Sequence, residues 1–298
     1  MKKILMINNL SSTFIQKDYE ILNKNYNLTK IEPKLKNVFK MFKSSKKCDV
    51  IYAWWLNSRY AGWLGLLTNK PVVYVAGGFD TVKNKEIGYG VFQNPIYNII
   101  TRFNIKSAEK ILVVSKNLKY NLIKNVDDID ESKIQVIPTG YDFDFWKNTE
   151  DYRFIKNICV VVNQYTNIKK FKTRCLVKGI DRFIDHVYKT KERSIIVGVN
   201  QDMLVKLYPE VKGLILNKTL EVLPLLNRGD LKLLFNSSEN YCLFSRHEGL
   251  PNVLIEAMLC GCKSMLSFEM NYLKDINPRD YKLEFRENKL NEVFKNIK

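Results

Sequence analysis

Short apolar runs of strand length recur along this chain, each separated from the next by a segment long enough for a helix. Residues 3–8 (KILMIN), 27–31 (NLTKI), 49–53 (DVIYA), 71–77 (PVVYVAG), 110–115 (KILVVS) and 133–140 (KIQVIPTG) form a first series. Most lack polar alternation, the pattern of strands covered on both faces by helices, so they predict a parallel sheet of βα units. The pattern restarts at 157–164 (NICVVVNQ). It continues through an amphipathic helical segment at 179–189 (GIDRFIDHVYK), a strand at 193–200 (RSIIVGVN) and a strand at 241–245 (YCLFS). Between the last two, 211–216 (VKGLIL) is another apolar run and 220–226 (LEVLPLL) is read as helical. Two consecutive α/β series predict two doubly wound, Rossmann-like domains, residues 1–150 and 151–298, with the boundary near 145–156.

The 298 residues suit two domains of about 150 each. A composition of 46% hydrophobic and 27% charged residues excludes disordered and fibrous classes. Residues 51–68 come closest to a membrane span, but Asn57, Ser58 and Arg59 interrupt them. The opening MKKILMINN has too short an apolar part, and no small-residue cleavage site, to be a signal sequence; it is read as a buried first strand. A cytoplasmic location is expected. Six cysteines without a CxxC pair read as buried free thiols. Cys260 and Cys262, with only His186 and His247 in the chain, show no recurring metal-ligand spacing. The net charge of +17 is spread along the chain, with 23 basic and 14 acidic residues in 1–150. Such an excess attracts phosphates on nucleotides, anionic lipids or nucleic acid without choosing among them.

The chemistry concentrates in residues 245–262 (SRHEGLPNVLIEAMLCGC). A strand ends at Ser245, a Gly-Leu-Pro turn follows, and a helix begins just after Pro251. The start of a helix after glycine offers backbone amides and the positive end of a dipole, a cradle for a diphosphate. Glu248 precedes the turn and Glu256 lies on the helix; carboxylates accept from sugar hydroxyls.

This stretch resembles the retaining GT-B glycosyltransferases of family 4, whose pattern is S-x-x-E-G-x-P-x-x-x-x-E-A-M-x-x-G. Ser245, Glu248, Gly249, Pro251, Glu256, Ala257, Met258 and Gly261 all match. The resemblance implies the GT-B fold, two Rossmann-like domains facing across a cleft. It implies that Glu248 contacts the transferred sugar and Glu256 the nucleotide ribose, while amides around Gly249, Leu250, Pro251, Asn252 and Val253 take the diphosphate. Lys178-Gly179, opening the helix at 179–189, matches the family's Lys-Gly. That lysine joins an arginine in neutralising the departing diphosphate; here Arg174 is the candidate, with Lys172 behind it, in a segment (163–178) longer than the family's usual loop and read as a basic loop.

Three segments depart from the family pattern. The hinge at 136–146 (VIPTGYDFDFW) carries Thr139 and Tyr141 but keeps Gly140 and Asp142. At 71–80 (PVVYVAGGFD), Gly77 stands where the family has a histidine that touches the donor sugar. Gly77 and Gly78 suggest close backbone approach to a ligand at the cleft, with Asp80 either capping the turn or touching a hydroxyl. The first βα loop, 8–13 (NNLSST), lacks the family's two glycines.

The reaction implied is retaining transfer from a UDP- or GDP-sugar to a glycan, lipid-linked or small-molecule acceptor, with no metal and no cofactor beyond the nucleotide-sugar. Asp128/Asp130 and Asp142/Asp144 form Asp-x-Asp triplets but read as turn and cap. Residues 34–47 (KLKNVFKMFKSSKK) place Leu35, Val38, Phe39 and Phe42 at helical spacing among six lysines. That suits either peripheral contact with an anionic membrane or a surface helix packing its apolar stripe on the sheet. Trp54, Trp55, Tyr60 and Trp63 read as core, with stacking on sugars the alternative. Competing functions are a catalytically weak GT-B binder of nucleotide or glycan, a GT-B epimerase or hydrolase (disfavoured by the scarcity of histidines), and a transferase acting on nucleic acid.

Overall fold

A computed structural model describes residues 1–9, 12–149 and 152–297. The chain divides into two compact units, one running to Gly140 and resuming at Tyr281, the other spanning Tyr141–Asp280.

In the first unit, β1 (Lys3–Ile7), β2 (Asn27–Ile31), β3 (Val50–Trp54), β4 (Val72–Ala76), β5 (Lys110–Val113) and β6 (Ile134–Val136) form one parallel sheet in the order β2-β1-β3-β4-β5-β6. Every residue of β3 and β4 is buried, which is why these strands read as unbroken apolar runs. In the second unit, β7 (Ile155–Asn163), β8 (Ser194–Val199), β9 (Leu220–Leu223), β10 (Ser238–Leu243) and β11 (Lys263–Leu266) form a parallel sheet in the order β11-β10-β7-β8-β9. Helices Ile168–Lys178 and Ile180–Thr190 bury Phe171, Cys175, Phe183 and Val187 in a core shared with Val161 and Ile196. Each sheet reverses its strand order once, between β1 and β3 and between β7 and β10. Open α/β sheets bind ligands beyond the carboxyl ends of such strand pairs.

Several expectations are corrected. Leu220–Leu223 is the edge strand β9, not a helix, and Pro224 follows its last residue. Residues 168–178 are a helix rather than a loop, started by the Asn167 side chain accepting from the Lys170 amide at 3.1 Å. Lys178 therefore ends one helix, and Gly179 separates it from the next. Asp130 and Asp142 accept from amides two and three residues ahead of them, closing turns. All six cysteines are free and buried. Among the described residues no helix is long and apolar enough to cross a membrane.

The chain leaves the first unit after Gly140, earlier than the boundary drawn near 145–156, where Glu150 and Asp151 lie outside the described residues. It returns after Asp280, so the last helix, Leu283–Asn296, is part of the first unit and not of the second. The cause is an ion pair removed from water. Arg286 donates from Nε and Nη2 to the two oxygens of Asp18 at 2.5 and 2.6 Å, and from Nη1 to the carbonyls of Ile137 and Pro138 at 2.9 Å each. Asp18 also accepts from the Tyr52 hydroxyl at 2.5 Å and Trp54 Nε1 at 2.8 Å. Both partners are almost wholly buried, and a lone charge there would have no water to solvate it. Arg286→Ala is expected to destabilise the protein by about 3–5 kcal/mol, the cost of stranding a buried carboxylate. Urea unfolding of the two proteins measures the difference.

Candidate active site

The strand reversal in the second unit gathers the charged residues of the 245–262 stretch. β10 ends at Leu243, and four residues carry the chain through Ser245 to Glu248. Glu248 is buried, and Lys178 Nζ donates to both its oxygens, at 2.6 and 2.8 Å. Ser245 Oγ donates to Glu248 Oε1 at 2.6 Å. Burial alone would push the Glu248 carboxyl up; the Lys178 charge and these hydrogen bonds outweigh it and hold the group below its ordinary range. Burial draws Lys178 down, with Glu248 opposing and Arg174 adding to the decrease. Arg174 sits four residues before Lys178 on the same helical face, and its Nε donates to the Val162 carbonyl at 3.1 Å. Two thiols of the core, Cys159 and Cys175, are pushed up to about 12 by burial and stay protonated.

Lys178 reaches Glu248 because its helix stops abruptly. Gly179 takes φ 65°, and a Cβ there would lie 1.9 Å from the Phe244 carbonyl oxygen. Only glycine lets the corner between the two helices touch the end of β10. Arg246 then fastens that corner. Its guanidinium pairs with both oxygens of Asp181 at 2.8 and 2.7 Å and donates to the Leu176 carbonyl at 2.7 Å. Its amide donates to the Val177 carbonyl at 2.8 Å. Neither residue stands out in the sequence: Arg246 occupies an unspecified position of the motif, and Asp181 reads as one more helical charge.

Past Glu248, Gly249, Leu250 and Pro251 are buried in the turn, and the helix Asn252–Leu259 begins with no side-chain cap. The Tyr141 hydroxyl donates to Asn252 Oδ1, so a departure from the family hinge steadies the start of this helix. Val253 is half-buried on the first turn and Glu256, also half-buried, on the second. Burial pulls His247 down to about 4, leaving a neutral imidazole beside Glu248.

Gly77, Gly78 and Asp80 lie in the first unit, after β4. Asp80 has the capping role: fully buried, it accepts from the amides of Leu56, Gly77 and Gly78 at 2.9, 3.0 and 3.0 Å. A Cβ on Gly77 would come within 2.6 Å of the Trp55 ring. Trp55 itself takes φ 77°, strained for a bulky side chain. It lines a cavity of about 300 Å³ with Asn8, Asn9, Asn57, Arg59 and Tyr60, beyond the ends of β1 and β3. Asn8 ties those two ends together by accepting from the Trp54 amide at 2.9 Å. Of the first βα loop, Leu10 and Ser11 lie outside the described residues.

The His247 imidazole gives a pH signature. Its folded pKa, about 4, is below the ordinary 6.5, so the unfolded chain takes up the proton first on acidification. The stability it confers is complete above pH 6.5 and lost between 6.5 and about 4, on the order of 3 kcal/mol. Glu248, depressed from 4.5, loses its share only below that value. Unfolding in urea at pH 7.5, 5.5 and 4.5 should show His247→Phe flattening the upper part of this decline.

Residues 148–267 match the family model described as glycosyl transferases group 1, and residues 15–145 match the one described as glycosyltransferase family 4. No curated protein matches the sequence. Among solved structures, Anabaena Alr3699/HepE, determined with UDP and glucose and with UDP-glucose, has a TM-score of 0.71. Its identity is 14%, over 99% of this chain and 100% of its own. Sucrose-phosphate synthase of Thermosynechococcus elongatus reaches 0.66 at 10% identity, over 99% of this chain and 90% of its own. The lipopolysaccharide outer core galactosyltransferase WaaB, in its apo form, reaches 0.61 at 13%, over 100% and 92%. At these identities the likeness to solved structures is one of fold. With a glycosyltransferase family model matching most of each unit, this chain is a glycosyltransferase of the GT-B fold.

Proposed function

We propose that the chain transfers a sugar, with retention at the anomeric carbon, from a UDP- or GDP-sugar to a hydroxyl of a glycan, lipid-linked or small-molecule acceptor. The observation that carries this reading is the two-point contact of Lys178 on Glu248, set where β7 and β10 part and the helix Asn252–Leu259 begins. The presence of UDP and glucose in the Anabaena structure, which shares the fold, agrees with it.

In this scheme the carboxylate of Glu248 accepts from hydroxyls of the transferred sugar, and Glu256 from the ribose. Amides from Gly249 to Val253 hold the diphosphate at the helix start. The bond from the anomeric carbon to the diphosphate oxygen breaks, a bond to the acceptor oxygen forms on the same face, and the acceptor proton passes to the diphosphate. Lys178 and Arg174 stabilise the negative charge that develops on the leaving group, so the scheme needs no metal ion. The acceptor enters the cavity of the first unit, where Trp55 offers a ring face and Asn8, Asn9 and Asn57 offer amides to hydroxyls.

One observation favours a second reading, a catalytically weak nucleotide or glycan binder. The histidine of the family pattern is replaced by Gly77, and the Trp55 ring fills the space beside it. A screen of UDP-, GDP-, ADP- and dTDP-sugars for thermal stabilisation and free-nucleotide release, with EDTA present, separates the two. Stabilisation by one donor with release of its nucleotide supports transfer; stabilisation without release supports the binder.

On the active protein, Glu248→Ala and Lys178→Ala should each lower turnover by about 100-fold or more while leaving the fold intact. Glu256→Ala should weaken nucleotide affinity about tenfold, measured by calorimetry. Wild-type turnover in the Glu248 variant would remove the assignment. Trp55→Ala should raise KM for the acceptor and leave KM for the donor unchanged, as initial-rate kinetics with both substrates varied would show.

A further inference from the structure

Three neighbouring helices of the first unit present an apolar surface that the described residues leave uncovered. The helix Ala61–Thr68 (AGWLGLLT) contains no charged residue, and only Thr68 is polar. Ala61, Gly62, Leu64 and Gly65 are buried, yet Trp63, Leu66 and Leu67 are 53%, 61% and 67% exposed. A helix apolar all round is stable in water only when its outer face is covered too. The helices Val38–Ser45 and Pro95–Ser107 both pack beside it. In the first, Met41 and Ser45 face inward, while Leu35, just before it, and Phe39 are 81% and 89% exposed. Of the stripe anticipated at 34–47, Val38 and Phe42 are thus half-buried, while Leu35 and Phe39 remain exposed. In the second, Ile96 and Ile99 are exposed and share a helical face with Phe103, whose ring stacks on Trp63 at 4.4 Å.

Charge identifies what covers this surface. Residues 34–47, 59–70 and 95–107 hold ten lysines and arginines and no aspartate or glutamate. All six lysines of 34–47 are exposed. Apolar side chains set among cations match the boundary of an anionic bilayer, where leucine, phenylalanine and tryptophan enter the acyl edge and lysines remain with the phosphates. Duplex nucleic acid would satisfy the cations but leave Leu66, Leu67 and Phe39 against water and phosphate. A second copy of the chain would oppose ten cations with ten.

We propose that the first unit docks on an anionic membrane surface through this three-helix face, with Trp63 at the interface. The sequence pointed only to the helix at 34–47; the surface extends across Trp63, which the sequence placed in the core, and the two isoleucines. Docking requires neither donor nor transfer, so it is tested apart from the proposed reaction.

The experiment is co-sedimentation of the full chain with vesicles of phosphatidylcholine alone, or with three-tenths phosphatidylglycerol, at low and high salt. Binding is expected to the anionic vesicles only, weakened by salt. Leu66→Asn/Leu67→Asn and Leu35→Asn/Phe39→Asn should each reduce partitioning at least tenfold without lowering Tm, because all four side chains already lie in water. Brominated anionic lipids should quench the tryptophan fluorescence of the unmodified protein, which needs no variant. Absence of vesicle binding, unaltered binding by both double variants, or no quenching would overturn the proposal. So would a wild-type dimer that Leu66→Asn/Leu67→Asn converts to monomer with no vesicle binding, or salt-sensitive binding to duplex DNA alone.

Discussion

The first unit depends on a charge pair that water cannot reach. Asp18 lies on the helix Thr13–Asn25 and Arg286 on the last helix of the chain, so the bond between them spans almost the whole sequence. It engages β3 through Tyr52 and Trp54, and the end of the sheet through the Ile137 and Pro138 carbonyls. Hydrophobic burial would accept many placements of an amphipathic helix. A guanidinium with four satisfied donors accepts one, because a small displacement leaves a carboxylate or a carbonyl unpaired in an apolar interior. The second unit, by contrast, is continuous in sequence and closes around an apolar core.

The two sheets share a logic and fill it with different chemistry. Each binds β-strands into one parallel layer and opens at the point where strand order reverses. In the second unit that point holds charge: a lysine, an arginine and a carboxylate within one connected set. In the first it holds an aromatic ring and amides. Phosphates and a developing anion need the former; neutral hydroxyl-bearing rings suit the latter. Rigidity comes from the backbone in both. Gly179 brings the Lys178 corner against β10, and Asp80, by holding the amides of Gly77, Gly78 and Leu56, fixes the loops on either side of Trp55.

Strand positions were legible because a strand buried on both faces can be written only in apolar residues, and runs such as VVYVA and IIVGV announce themselves. The edges were not. β9 spans four residues before Pro224, too few for periodicity to decide, and β11 opens with Lys263 and Ser264 because one side of it has no neighbour. The helix Ile168–Lys178 hid behind its lysines, although Asn167 as a cap and Phe171, Cys175 and Lys178 at helical spacing were available as signals. Glu248 and Lys178 could be singled out because local spacing and residue type suffice for them. The clamp of Arg246 on Asp181 could not, since it joins two ordinary surface-type residues 65 positions apart. For Leu35 and Phe39 two placements stayed open, since helical spacing predicts a stripe but not which side of it faces water.

The discontinuity of the first unit has a consequence for how the protein is made. Synthesis runs from the amino end, so the second unit is complete before Arg286 has been joined to the chain. Until then Asp18 has no cation, and Tyr52 and Trp54 have only part of the network they are built into. The first unit therefore cannot complete its buried network from its amino-terminal part alone, while every residue of the second unit lies in one continuous stretch. A segment ending before Tyr281 would therefore contain the whole of the second unit, yet leave the Asp18 carboxylate of the first without its cation.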